Sequence, residues 1–328
     1  MLPVSTVDYH AGGEPFRIVT SVEVPGASVP DRRVFAQTSP TVDAVRQLLV
    51  NEPRGHADMY GGFVVPGNDD GAHFGVLFWH KDGYSTACGH GTIALGTWAI
   101  ESGLVAASSD GVTDVVIDVP SGRVVARVTC AGGAVSGVAF RNVPSYVSGR
   151  GLEVSTSRGD VVADLSFGGA FYASVAASSV GLSVTPSCYA DLIAVGREIK
   201  WALDAQAVHP VDSRLNGVYG TIFYDDLGSS DSGPHQRNVA IFADGEVDRS
   251  PCGSGTSARL ALLYDEGRLA DGQVLRHESI VGTTFLGRVV EIVDDGVITE
   301  VEGAAYRTGN ATFTLDPRDP LGTGFTLR

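Results

Sequence analysis

Most apolar residues of this chain fall in short runs broken by Gly, Pro and Asp, the spacing of strands joined by tight turns. Such runs cover residues 19–24, 62–65, 75–79, 115–119, 124–129 and 135–140, then 170–176, 220–224, 238–242, 288–293 and 297–301. Helical spacing is rarer. Over residues 41–51, Val42, Val45, Leu48 and Leu49 recur at helical intervals behind Pro40, and residues 187–208 form a second candidate. Two further segments, 92–101 and 257–265, are apolar nearly all round. They carry Ile93, Leu95, Trp98 and Ile100 in one, and Leu260, Leu262 and Leu263 in the other. A helix with no polar face is a buried helix. The pattern therefore predicts an α/β (α+β) protein of two halves, each a sheet or barrel around one central helix. The polar stretch 225–235 is expected to be an exposed hairpin connection.

A cysteine stands just before each all-apolar helix, and the two surroundings match. Ala87-Cys-Gly-His-Gly-Thr-Ile-Ala-Leu-Gly96 returns 164 residues later as Pro251-Cys-Gly-Ser-Gly-Thr-Ser-Ala-Arg-Leu260. A helix-stop glycine, Gly103 or Gly267, lies 15 residues beyond each cysteine. Gly122-Arg-Val-Val matches Gly287-Arg-Val-Val, Tyr60-Gly-Gly-Phe63 resembles Tyr219-Gly-Thr-Ile-Phe223, and Gly12-Gly-Glu-Pro-Phe16 faces Gly168-Gly-Ala-Phe171. Matches that keep their order point to duplication. The halves are expected to be 1–145, joined by 311–328, with Cys88, and 146–310 with Cys252. Residues 144–151 are the expected crossing.

Composition narrows the function. A formal net charge of −15 argues against nucleic acid or an anionic membrane as partner. No apolar run reaches the roughly 18–20 residues of a membrane helix, and the N-terminus lacks signal-peptide character. The 42 glycines suit many tight turns. Cys130 lies in a strand-like run and Cys188 in a Ser/Pro loop. No pair of the four cysteines has metal-like spacing. Reduced thiols and a cytoplasmic location are expected, with no metal.

The two repeated cysteines carry the candidate chemistry. The amides and macrodipole of a helix N-terminus lower a thiol pKa from about 8.5, so both are expected to be acidified. Free amides after each cysteine form an anion site. Two such ends would hold a carboxylate between them, with the sulfurs flanking the adjacent carbon. One sulfur as thiolate takes a proton and the other as thiol returns one, with no cofactor. The bland alternative is a pair of buried cysteines marking helix starts; duplication speaks for the site. Asp248 is a candidate for holding a substrate ammonium, or for capping or pairing with Arg249. His90 is placed to touch the same amine or tune Cys88. His10 and Glu14 are candidates for the cavity wall or for fixing their loop.

At these residues the chain resembles the proline racemase family, which includes 4-hydroxyproline 2-epimerases and trans-3-hydroxy-L-proline dehydratases. The matching stretches are Asp8-Tyr-His-Ala-Gly-Gly-Glu-Pro-Phe-Arg17, Ala87-Cys-Gly-His-Gly-Thr92, Asp248-Arg-Ser-Pro-Cys-Gly-Ser-Gly-Thr256 and the C-terminal Glu302-Gly, Thr308-Gly, Phe313 and Asp316-Pro. The resemblance implies a diaminopimelate-epimerase-like fold with the active site in the cleft between pseudo-symmetric halves. It implies Cys88 and Cys252 as the acid/base pair. The amides of Gly89, His90, Gly253 and Ser254 would bind the carboxylate, and Asp248, with the His90 side chain, the ring nitrogen.

Dehydratases of the family typically keep one of the two cysteines. Both are present here, which favours an isomerase: a proline racemase or hydroxyproline 2-epimerase without cofactor. Many 4-hydroxyproline epimerases place a His in the strand that here reads Tyr219-Gly-Thr-Ile222; its absence speaks against a 4-hydroxyl substrate. The expected partner is a small molecule, proline or hydroxyproline, with pyrrole-2-carboxylate as an inhibitor type. A homodimer is left open. The alternatives are a trans-3-hydroxy-L-proline dehydratase and a non-catalytic binder of cyclic imino acids.

Overall fold

The computed structural model describes residues 3–327. The chain divides into two compact units. One runs to Thr86, resumes over Gly91–Val138 and takes in the chain from Ala304 onward; the other comprises Ala87–His90 and Ala139–Gly303.

In the first unit, β1 (Val4–Ala11) and β2 (Glu14–Val19) form a hairpin turned by Gly12 and Gly13, both at positive φ. Helices α1 (Val29–Thr38) and α2 (Pro40–Val50) follow, then β3 (Gly61–Val65), β4 (Phe74–His80) and β5 (Gly83–Tyr84). After helix α3 (Gly89–Glu101), which counts to this unit from Gly91, come β6 (Gly111–Val119), β7 (Gly122–Ala131) and β8 (Ala134–Arg141), the last counting to it as far as Val138. β2 pairs parallel with β3, β3 antiparallel with β4, and β4 antiparallel with β5 and parallel with β6, which pairs antiparallel with β7.

The second unit holds β9 (Tyr146–Thr156), β10 (Gly159–Phe167), β11 (Phe171–Ala176), α4 (Tyr189–Leu203), β12 (Val218–Ser230), β13 (Gly233–Phe242) and β14 (Glu246–Asp248). Helix α5 (Gly253–Asp265) and β15 (Leu275–Ser279), β16 (Thr284–Val293) and β17 (Gly296–Gly303) complete it. β9, β10 and β11 are antiparallel neighbours; β11 pairs parallel with β12, β12 antiparallel with β13, and β13 antiparallel with β14 and parallel with β15. This is the strand order of the first unit once β18 (Ala305–Phe313), antiparallel to β1, serves as its outer strand. Helices cross the parallel step in both, as parallel neighbours require.

Each buried helix follows a short hairpin strand. α5 is buried from Gly253 to Leu263 and touches β9, β10 and β11 as well as β16 and β17, so its sheet curls around it. In the first unit Trp98 of α3 meets Phe74 edge-on at 5.7 Å, and Gly96 makes room for Ala126, which an added Cβ would approach to 2.6 Å.

Strands β1, β9, β10 and β18 extend beyond the predicted runs, and three further departures are instructive. The strand expected over 19–24 ends at Val19. Val24 instead joins Val19 in the core under α1 and α2, so its apolar character reflects burial without a ladder. α1 was hidden because only Val29 and Ala36 of its ten residues are buried. It starts at Ser28, whose side chain accepts the Asp31 amide. Residues 225–235 do form an exposed hairpin, but as strands: β12 runs to Ser230 and β13 starts at Gly233, with a register shift between Asp226 and Ser229. Backbone pairing persists there although both faces are polar. Among the described residues no helix is long and apolar enough to cross a membrane.

Candidate active site

The turn from β14 into α5 is fixed bond by bond. Asp248 Oδ1 accepts the Ser250 amide at 2.8 Å, Ser250 Oγ accepts the Cys252 amide at 3.0 Å, and the Cys252 carbonyl accepts the Thr256 amide at 2.7 Å. Held this way, Cys252 takes φ +63°. That region costs a non-glycine residue about 1–3 kcal/mol and persists only where the surroundings impose it. Ala243 is the one other non-glycine residue with positive φ among the described residues. Thr256 Oγ1 gives its proton to the Pro251 carbonyl at 3.1 Å, so His277 Nδ1, at 2.8 Å, donates to it. Burial lowers the His277 pKa to about 3 and keeps the ring neutral.

Ala87–His90 belong to the same unit as this turn. Cys88 Sγ lies 3.4 Å from His90 Nε2, and His90 Nδ1 lies 3.5 Å from Asp248 Oδ2. Cys88, His90, Asp248, Cys252 and Ser254 are all buried. The helix starts abut: a Cβ on Gly253 would fall 2.6 Å from Gly89 Cα, and one on Gly89 would overlap the Gly253 backbone. The first glycine of each motif therefore serves the approach of two backbones. The second glycine of the α5 motif, Gly255, makes room for the Cys252 sulfur, which its Cβ would meet at 2.9 Å. Sequence pattern thus located residues that the fold brings together: Cys88, Gly89, His90, Asp248, Cys252, Gly253 and Ser254.

The electrostatics correct one expectation. Burial first, and then the Asp248 charge, push the Cys252 thiol up, against the Gly255 amide and Tyr172. A helix N-terminus alone would acidify it; desolvation and a neighbouring carboxylate outweigh that here. Burial also opposes ionisation of Asp248. The nearby His90 and the bonds from Ser250 outweigh it, and the carboxyl stays below its usual range.

His10 and Glu14 belong to the other unit. His10 Nδ1 accepts the Gly13 amide at 3.3 Å, so it fixes the hairpin, and Glu14 is fully buried. Cys130 lies in β7, and Cys188 ends the short 3-10 turn Pro186–Cys188.

The sequence model described as Proline racemase matches residues 6–326. The chain belongs to the proline racemase family. Its fold is the diaminopimelate-epimerase-like arrangement of two similar α/β halves. The chain is 45% identical to the trans-3-hydroxy-L-proline dehydratase of Burkholderia cenocepacia, over 99% of its own length and 98% of the relative's. It is also 45% identical, over the same shares, to the 3-hydroxyproline 2-epimerase of Burkholderia multivorans. The crystal structure of a hydroxyproline epimerase from Agrobacterium vitis with bound trans-4-OH-L-proline superposes with a TM-score of 0.92 at 29% identity, covering 99% of this chain and 95% of that one.

One buried residue of this family member escaped the motifs. Tyr172 of β11 brings its phenol oxygen 2.7 Å from Ser254 Oγ and 3.7 Å from Cys252 Sγ. The repeat did not mark it: the matched stretches set Phe16 against Phe171, the residue before it.

Proposed function

We propose that this protein epimerises 3-hydroxyproline at Cα with Cys88 and Cys252 as its acid/base pair. The observation that carries the reading is the abutment of Gly89 and Gly253, each directly after one of the two cysteines. The amides of Gly89, His90, Gly253 and Ser254 bind the substrate carboxylate. They offset the charge that builds up as the α-proton leaves. Asp248 and His90 take the ring ammonium. In one direction the Cys88 thiolate removes the Cα proton and the Cys252 thiol protonates the opposite face; the reverse reaction exchanges the roles. The relatives named for 3-hydroxyproline support that substrate over proline.

The dehydratase reading is favoured by the names of several relatives. It shares the first step. One thiolate takes the Cα proton, the 3-hydroxyl leaves with a proton as water, and the enamine tautomerises to Δ1-pyrroline-2-carboxylate. The second thiol distinguishes the two: epimerisation needs it, elimination does not.

The test is incubation of trans-3-hydroxy-L-proline in heavy water, followed by NMR and mass spectrometry. Epimerisation yields the 2-epimer carrying deuterium at Cα, with both Cys88→Ser and Cys252→Ser slowed by at least about 100-fold. Pyrroline carboxylate as the main product, with one cysteine dispensable, overturns epimerisation in favour of dehydration. Turnover that survives both substitutions ends the thiol mechanism.

A further inference from the structure

Cys252, read as above, has to be an acid in one direction and a base in the other. Most groups around it cannot serve both states. The Asp248 carboxylate always opposes a thiolate, and the Gly255 amide always favours one. The Tyr172–Ser254 contact differs, because either hydroxyl can be the donor. When Tyr172 donates to Ser254, its oxygen offers a lone pair to the sulfur 3.7 Å away and suits S–H. When Ser254 donates to Tyr172, the phenol proton can point at the sulfur and suits S⁻.

The ring itself is held still. Tyr172 is fully buried in β11 opposite Gly220 of β12. Its ring stands edge-on to Tyr219 at 5.7 Å, and Tyr219 stacks on Phe242 at 5.4 Å. Protons can reorient there without movement of heavy atoms. We infer that the Tyr172–Ser254 hydroxyl pair is an orientation switch serving Cys252, presenting an acceptor to the protonated sulfur and a donor to the deprotonated one. Tyr172 is then a positioning residue acting through Cys252. The inference rests on the two-thiol reading.

Iodoacetamide alkylation of the intact protein, followed against pH by peptide mass mapping, reports Cys252 and Cys88 separately. Tyr172→Phe keeps the ring and removes the donor. The Cys252 midpoint should rise by about one pH unit, so its rate on the rising limb falls about 10-fold. Ser254→Ala leaves the phenol proton for the sulfur, and the midpoint should fall. Cys88 should move in neither variant. Loosened packing would raise the Cys252 rate in both variants, so opposite signs are the signature. Shifts of one sign, or none, overturn the switch. If Ser254→Ala does not fold, Tyr172→Phe decides alone: a midpoint that fails to rise overturns it. If Cα exchange survives Cys252→Ser, the two-thiol reading fails first. If exchange needs Cys252 while the midpoints stay put, only the switch fails.

Discussion

The two halves run through one strand order but place their hydroxyls differently. In the first, Phe16 stacks with Tyr60 at 6.2 Å, and the Tyr60 hydroxyl meets Ser85, three residues before Cys88. In the second, Tyr172 of β11 stands edge-on to Tyr219 of β12 at 5.7 Å, and the Tyr172 hydroxyl meets Ser254, two residues after Cys252. Aromatic packing beside the parallel strand pair is therefore common to both copies, and in the second a phenol oxygen lies 3.7 Å from the cysteine sulfur. The same holds for the backbone. Cys252 sits at positive φ and Cys88 does not. A carboxylate four residues upstream, Asp248, has no counterpart before Cys88, where position 84 is Tyr. The repeated parts build a scaffold with two thiols, and the unrepeated parts decide how each thiol holds its proton.

The sharpest way to break that division is at the shared scaffold. Gly89→Ala and Gly253→Ala put a methyl into the same contact from opposite sides. Each should lower turnover by at least about 100-fold and destabilise the protein by about 1–3 kcal/mol, as overpacking does. Turnover assays with urea unfolding measure both. A variant that keeps full activity from one side only would show that the two helix starts are not equivalent partners.

A second test concerns acid stability, where the halves agree. Burial lowers His80 in the first half and His277 in the second to a pKa of about 3 each. Between that value and about 6.5, the unfolded chain binds a proton at each site that the folded protein refuses. Stability therefore rises with pH across this window and is lost as pH falls through it, by about 1.4 kcal/mol per pH unit for each histidine. His277→Asn should flatten the slope by about that amount, read from urea midpoints between about pH 4 and 6. An unchanged slope would mean that His277 protonates without opening its bond to Thr256.

Much of this was legible in sequence because period and repetition carry it. Two all-apolar helices reveal burial wherever they occur, and a doubled Cys-Gly frame reveals a paired site. The elements that escaped are those whose cause is not periodic. α1 buries only two residues of ten, so its stripe is too thin to see. Val24 is apolar because it lies under helices, which mimics a strand. The raised Cys252 thiol depends on Asp248 and on desolvation, neither of which a helix-start motif expresses. Tyr172 lies 80 residues from Cys252 and reaches it only through the parallel pairing of β11 with β12 and the packing of α5 against β11.

The smallest effect is expected where the halves are most alike. Gly103 and Gly267 end the two buried helices, each 15 residues past its cysteine, at φ +75° and +68°. An added Cβ would meet nothing within 4 Å at either position. Alanine there is opposed only by the left-handed backbone, which disfavours any side chain. Gly103→Ala and Gly267→Ala should each destabilise by about 1 kcal/mol, with turnover unchanged, by thermal or urea unfolding. The values should agree with each other, since strain in a helix stop does not depend on which cysteine the helix follows. A difference larger than about 1 kcal/mol would place an asymmetry in the scaffold itself, and the division between a repeated frame and unrepeated proton-handling groups would have to be redrawn.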